Sequence, residues 1–283
     1  MSAIRVHGVR FGYDVKGGRE VLRAACLRVE PGTIMCLMGV NGCGKSTLID
    51  CILGEHVPTA GIIELNGQDV SELDAPERAR IAAYVPQVHE RSFPYTVLHV
   101  VLMGRMAHVH GFGSPDSSDE EVAREALATC GMASFAERAY TSLSGGEMQM
   151  VMLARALAQK TPIVMMDEPT AHLDFRNELV FLETVERLVR DEGATVLMAT
   201  HAPDQAFHLK AAGVPVEVAL MAEGRVVRMG DPDEVLDDDA LREVFGIEGF
   251  VTEVITPGCT ALRRVIPLSS LQAGEREGDE DGS

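Results

Sequence analysis

The stretch Gly39-Val40-Asn41-Gly42-Cys43-Gly44-Lys45-Ser46 narrows the folds open to this chain more than any other part of it. It fits the pattern GxxxxGK[ST] in full, follows the apolar run TIMCLM and opens the helical stretch KSTLIDCILG. Glycines let a backbone curl until successive N–H groups point inward at one anion, and a helix starting there adds the positive end of its dipole. The pattern therefore calls for a buried strand, a phosphate-cradling turn and a helix, in that order. Gly39, Asn41, Gly42, Cys43 and Gly44 supply the cradle, with Thr47 just beyond. Lys45 can reach β- and γ-phosphates, and the Ser46 hydroxyl is placed to coordinate Mg²⁺. The Cys43 thiol, close to Lys45 and a helix N-terminus, is expected to have a lowered pKa, so that alkylation would block the nucleotide.

Around this segment, short apolar strands alternate with helical patterns: RVHGVRF, VLRAACLRVE, TIMCLMG, and later PIVMMDE and TVLMATH. Such alternation predicts an α/β fold with a mainly parallel sheet flanked by helices. TIMCLMG and PIVMMD are continuous apolar runs, as central strands buried on both faces require. Ligands of open sheets bind at the C-terminal ends of the strands. From about residue 88 to 160 the patterns are helical only, TVLHVVLMGRM, DEEVAREALATCGM and GGEMQMVMLARALAQ, which predicts a helical insertion. Strand-like VEVALMAE and RVVRMGD, a short acidic helix in DDDALREVFG and TEVITPG follow Val214. The main domain is thus placed at 1–250 and a C-terminal extension at 251–270; the acidic run at 271–283 is expected to be disordered.

Two carboxylates end the second apolar run, at Asp167 and Glu168. Asp167 fits the Mg²⁺ side of a phosphate site, held through the ion's water shell. Glu168, one residue on, points differently and can polarise the water that attacks a γ-phosphate. Alone, two acids after an apolar run are as easily a solvated strand end; a phosphate loop upstream at this separation selects the chemical reading.

The 283 residues, 46% of them hydrophobic, suffice for a large core. A formal net charge of −18 argues against nucleic acid as a partner, because such binding rests on Lys and Arg neutralising phosphates. No window holds the roughly 18 apolar residues of a membrane span, and MSAIRVHGVRFGYDVKGG lacks the apolar core of a secretory signal, so a cytoplasmic location is expected. Six cysteines form no CxxC pair. His89, His99, His108 and His110 make no ligand spacing and read as scattered surface histidines.

Leu143-Ser144-Gly145-Gly146-Glu147 resembles the signature motif of ABC ATPases, and the family's other motifs stand in order about it. Tyr13, in VRFGY, resembles the aromatic that stacks on adenine. Gln87, in YVPQ, resembles the glutamine linking the Mg²⁺ site to the helical insertion. Ala171-His172-Leu173-Asp174 is similar to the loop that crosses the dimer interface, and His201 to the switch histidine at the γ-phosphate. The resemblance covers roughly residues 3 to 250. It implies a P-loop NTPase of the ABC type, with an N-terminal antiparallel β part, that binds ATP and Mg²⁺ and hydrolyses ATP through Glu168, His201, Gln87 and Lys45. It also implies a second copy or paralogue, each chain lending Ser144, Gly145 and Gly146 to the other's ATP. After the signature the chain reads EMQMVMLARAL, where many members carry basic residues.

TVLHVVLMGRMAHVHGFG, DEPTAHLDFRNELVFLE and LREVFGIE are similar to the ATPases of importers for iron-siderophore, haem, cobalamin or related metal-chelates. That implies a separate polytopic permease docked at residues 93–106, indirectly a substrate-binding protein, and a place on the cytoplasmic face of the membrane. A soluble ABC ATPase of the iron–sulfur cluster assembly type is the length-compatible alternative, though DEPTAHLD resembles transporters more closely.

Overall fold

The computed structural model describes residues 1–13, 19–87, 95–109, 113–171, 173–255 and 261–271. Its centre is a six-stranded sheet in the order β10-β9-β3-β8-β7-β6, with β3 at Ile34–Met38, β6 at Ala82–Val85, β7 at Ile163–Asp167, β8 at Thr195–Thr200, β9 at Val216–Ala222 and β10 at Arg225–Gly230. All neighbours pair in parallel except the β9–β10 hairpin at one edge. Every residue of β3, β7 and β8 is buried, which explains why these runs are apolar without alternation.

Alternate residues of β3 point into two cores. Met35 and Leu37 pack with helix α1 (Lys45–Leu53) through Leu48, Ile49, Cys51 and Ile52. The same core takes in an antiparallel sheet ordered β2-β1-β4-β5, formed by Leu22–Val29, Ile4–Phe11, Ala60–Leu65 and Gln68–Asp69. Ile34, Cys36 and Met38 face the other core, shared with α6 (Phe175–Glu192), α7 (Pro203–Ala211) and the helices between β6 and β7. Before that segment, α2 (Ala75–Ile81) opens with a capping box between Asp74 and Glu77.

Between β6 and β7 the described elements are α3 (Val97–Leu102), a 3₁₀ turn at Met103–His108, α4 (Ser117–Thr129) and α5 (Gly145–Ala158). The position of α5 accounts for the methionines after the signature. Met148, Met150 and Met152 are all buried, as are Gln149 and Leu153, so the helix is enclosed on most of its circumference. Each buried Met or Leu is worth about 1.5–3 kcal/mol, more than the ~1 kcal/mol that a helical glycine such as Gly146 costs. A Cβ on Gly104 would lie 2.2 Å from the Arg155 carbonyl oxygen, so glycine lets the 3₁₀ turn rest directly on α5. Arg105 completes the joint, donating to Asp119 at 2.8 Å and to the Ala158 carbonyl at 2.9 Å. His108 is half-buried and shares a 2.7 Å hydrogen bond with the Gln159 carbonyl, in contrast to a surface histidine. His89 and His110 lie outside the described residues.

The chain ends in an antiparallel hairpin of β11 (Ile247–Ile255) and β12 (Ala261–Ser270). The strand-like TEVITPG begins within β11; its partner β12 had no counterpart among the sequence expectations. Asp204 at the start of α7 anchors β12, accepting from Val265 N–H at 2.9 Å and from Arg264 at 3.0 Å. The acidic run expected to be disordered lies, after residue 271, outside the described residues.

Candidate functional site

Between β3 and α1 the backbone turns through three left-handed glycines, Gly39, Gly42 and Gly44. At Gly39 a Cβ would stand 2.2 Å from the Met221 carbonyl oxygen and 2.9 Å from Cys43 Sγ, so no other residue fits. Gly44 caps α1 without any side-chain hydrogen bond, and no acid sits in the first turn. The opening amides of α1 are therefore left to an external acceptor, and their dipole favours an anion. Asn41, Gly42 and Ser46 are exposed, whereas Cys43, Gly44, Lys45 and Thr47 are buried.

Lys45 is only 5% exposed, and its Nζ donates to the Gly39 carbonyl at 2.8 Å. The same ammonium stands 3.6 Å from Glu168 Oε1. Glu168 follows β7 in a left-handed turn, φ 43°, with its N–H still bonded to the Ala199 carbonyl at 2.9 Å. A non-glycine residue in that region stores about 1 kcal/mol or more, and such strain gathers at functional positions. The turn brings the carboxylate to three groups at once: besides Lys45, Gln87 Nε2 donates to Oε2 at 3.2 Å and His201 Nδ1 lies 3.4 Å from the same oxygen. Gln87, Lys45, Glu168 and His201 thus come together from the ends of β6, β3, β7 and β8.

Asp167, 5% exposed, lies at the end of β7. Burial pushes its carboxyl above the usual carboxylate range, opposed by a hydrogen bond from Ser46. Its Oδ1 is buried with no hydrogen-bond partner. A carboxylate oxygen left unpaired beside a serine hydroxyl is a hard, all-oxygen donor set and fits Mg²⁺.

Tyr13 hydrogen-bonds through its hydroxyl to Thr47 Oγ1 at 3.0 Å, and 65% of the residue is exposed. Its ring stands edge-on to Phe11 and His56, which stack on each other at 4.8 Å with planes 8° apart. This support was not anticipated from sequence; His56 follows the end of α1 and no motif marks it.

Ser144, Gly145 and Asp174 are exposed and Gly146 is half-buried, in a patch apart from these groups. The Ser144 hydroxyl accepts from Glu147 N–H at 3.3 Å and the Glu147 carboxylate accepts from Ser144 N–H at 2.7 Å, a reciprocal cap at the N-terminus of α5. A Cβ on Gly145 would meet nothing within 4 Å, while one on Gly146 would meet Asn177 and Leu173 at 3.3 and 3.4 Å. The signature therefore borders the loop to Asp174, which caps α6 through Asn177 N–H at 2.8 Å. His172 of that loop lies outside the described residues.

The expectation for Cys43 is corrected. Burial, with the side chain 5% exposed, raises its thiol pKa and outweighs the lowering by Lys45. Desolvation of a thiolate is the larger effect here. The thiols of Cys36, Cys51 and Cys130 are likewise pushed up to about 12.

Residues 22–171 match the family model described as ABC transporter. A hemin import ATP-binding protein, HmuV of Gloeobacter violaceus, is 38% identical over 269 residues, covering 92% of this chain and 94% of that protein. The cobalamin import ATP-binding protein BtuD of Halobacterium salinarum is 41% identical over 235 residues, 83% of this chain; the match spans 57% of that longer relative. A solved ABC transporter described as metal-chelate type, in an inward-facing conformation, superposes with a TM-score of 0.81 at 30% identity, covering 95% of this chain and 98% of that one.

A raised, buried thiol resists alkylation. Maleimide should label exposed Cys26 at least about tenfold faster than Cys43 at pH 7.5, with the Cys43 rate still climbing above pH 9. Peptide-resolved mass spectrometry over time gives both rates, and faster labelling of Cys43 would contradict the burial argument.

Proposed function

This chain belongs to the ABC transporter family of ATP-binding subunits, and from that membership we propose that it hydrolyses ATP to drive import of a metal-chelate through a separate permease. The observation that carries the reading is the meeting of Lys45, Gln87 and His201 on Glu168, beside the phosphate loop and Asp167. The relatives named above, importers of hemin and cobalamin, support the cargo class, within which iron-siderophores also fall.

In this reading, amides of the 39–46 turn and of the start of α1 take the β- and γ-phosphates. Lys45 exchanges its bond to the Gly39 carbonyl for phosphate oxygens. Ser46 and, through water, Asp167 and Gln87 would hold Mg²⁺, which would neutralise phosphate charge in the transition state. Glu168 accepts a proton from water as the water oxygen bonds to the γ-phosphorus, and the bond to the β–γ bridging oxygen breaks to release ADP. His201 orients the water and γ-phosphate from the other side of Glu168. Tyr13, held by Phe11 and His56, offers its open face to adenine.

The exposed N-terminus of α5 is the second half of a site that a second copy, or a paralogue, completes. Ser144, Gly145 and Gly146 approach the ATP of the opposite chain there, and Gly145 leaves room for the phosphates. The pairing is isologous, with Asp174 of each chain crossing the seam. On the insertion, Tyr95, Met103 and Met106 are exposed at 47%, 43% and 52%, an apolar edge suited to a helix of a polytopic permease. Phe93 of the expected docking segment lies outside the described residues. The chain then works on the cytoplasmic face of the membrane, supplied indirectly by a substrate-binding protein. No helix among the described residues is long and apolar enough to cross a bilayer.

Glu168→Gln keeps shape and removes the base. Turnover should fall at least a hundredfold, since general-base assistance is worth about 10²–10⁴, while MgATP is still bound. The variant should accumulate as an ATP-dependent dimer in size-exclusion chromatography with light scattering, and Lys45→Ala should not. Near-wild-type phosphate release, or a monomer under saturating ATP, would overturn the base or the shared-site assignment.

Replacing both Met103 and Met106 by Glu should leave hydrolysis by the isolated subunit within about twofold. In vesicles bearing the permease, cargo uptake should fall at least tenfold. Full uptake would remove this edge from the docking surface.

A further inference from the structure

Behind the groups that meet at Glu168 lies a side chain that touches none of them. Gln205, on the first turns of α7, is 4% exposed. Its Nε2 donates to Thr170 Oγ1 at 2.7 Å and to Glu178 Oε1 at 2.7 Å, and its Oε1 accepts from the Thr200 hydroxyl at 2.8 Å. Thr200 accepts in turn from Ala202 N–H at 3.1 Å. Both amide protons and the carbonyl are therefore used, on three separate elements.

Each of those elements carries a residue of the site. Thr200 ends β8 and precedes His201, whose side chain is 58% exposed. Thr170 lies two residues beyond Glu168, in the loop that leaves the left-handed turn and runs to Asp174. Glu178 lies in the first turn of α6, which Asp174 caps. We propose that Gln205 is a positioning residue for ATP hydrolysis, locking the histidine strand end, the loop after the base and the start of α6 into one register. The inference rests on the hydrolytic reading of the site.

The chemistry favours an amide at this position. Glu178 and Thr170 each take an N–H from Gln205 while the Thr200 hydroxyl needs an acceptor, and only Asn or Gln offers two donors and an acceptor on one uncharged group. A methionine would fill the volume while taking these bonds from the buried Thr200 hydroxyl and from half-buried Thr170 and Glu178, so the segments would be free to shift. A shift of about 1 Å between base and water can cost two orders of magnitude in rate while the phosphate loop, to which Gln205 makes none of these bonds, keeps its hold on nucleotide.

The test compares Gln205→Met with wild type in steady-state phosphate release. The expected result is a KM for MgATP within about twofold and a kcat lowered at least tenfold. In a His201→Ala background the same change should cost less than it does in wild type, because one of the groups it positions is gone. Glu178→Gln combined with Gln205→Glu reverses the donor and acceptor across that bond, and should recover to within about threefold of wild type, whereas Gln205→Glu alone should stay at least tenfold low. A wild-type kcat for Gln205→Met, or a loss in the His201→Ala background as large as that in wild type, would overturn the proposal. Should Gln205→Met fail to fold, Thr170→Val removes a single bond: a lowered kcat at constant KM supports the clamp, and an unchanged kcat overturns it. Failure of the hydrolytic reading is separate, since wild type itself would then release no phosphate from MgATP.

Discussion

A buried ammonium sets the terms for this fold. Lys45, 5% exposed, cannot be left without acceptors, because an uncompensated charge in the interior costs several kcal/mol. The Gly39 carbonyl supplies one acceptor and Glu168 another. The first requires the chain to turn hard against β9, where Gly39 leaves no space for a Cβ beside Met221. The second requires Glu168 to leave β7 with positive φ. Both demands are met only if β3, β7 and β9 lie in one parallel sheet with their C-terminal ends level, which is the order found.

From this arrangement follows a division of labour among elements. The sheet fixes the reacting groups, while the helices between β6 and β7 carry a second exposed helix N-terminus away from them. The reciprocal cap of Ser144 and Glu147 holds that terminus in shape while Gly145 keeps it open. Burial of Met148, Met150 and Met152 holds the helix itself. Gln87 joins the two regions, since it touches Glu168 and stands on the chain that leads into α3.

Local chemistry explains what could be read from sequence. Strands β3 and β7, the phosphate loop and the cap at Ser144 depend on residues close in sequence, so their patterns are visible without a fold. The pKa of Cys43 depends on what covers it, and sequence proximity to Lys45 pointed the wrong way. The stack of Phe11 with His56 beneath Tyr13 joins residues far apart, with no spacing rule to announce it. Gln205 was invisible for the same reason. Strand β12 was hidden by its composition, ALRRVIPLSS, because proline and paired arginines read poorly as strand. Pro267 lies opposite Gly249 where the register shifts, on a strand whose other edge is unpaired, and there its missing N–H is tolerated.

The contacts of Lys45 also bear on how the site takes nucleotide. With Lys45 3.6 Å from Glu168 and bonded to Gly39, the cation that phosphate would claim is held by the loop and by the base. At an effective dielectric of about 20, such a pair attracts by a few kcal/mol. A γ-phosphate carries more charge than one carboxylate and is met by the whole row of loop amides, so it competes well for the ammonium. Transfer of Lys45 to phosphate then leaves Glu168 facing Gln87 and His201, the two groups beside its Oε2. On the reading proposed here, the contact that satisfies Lys45 also holds Glu168, and nucleotide frees both groups in one exchange.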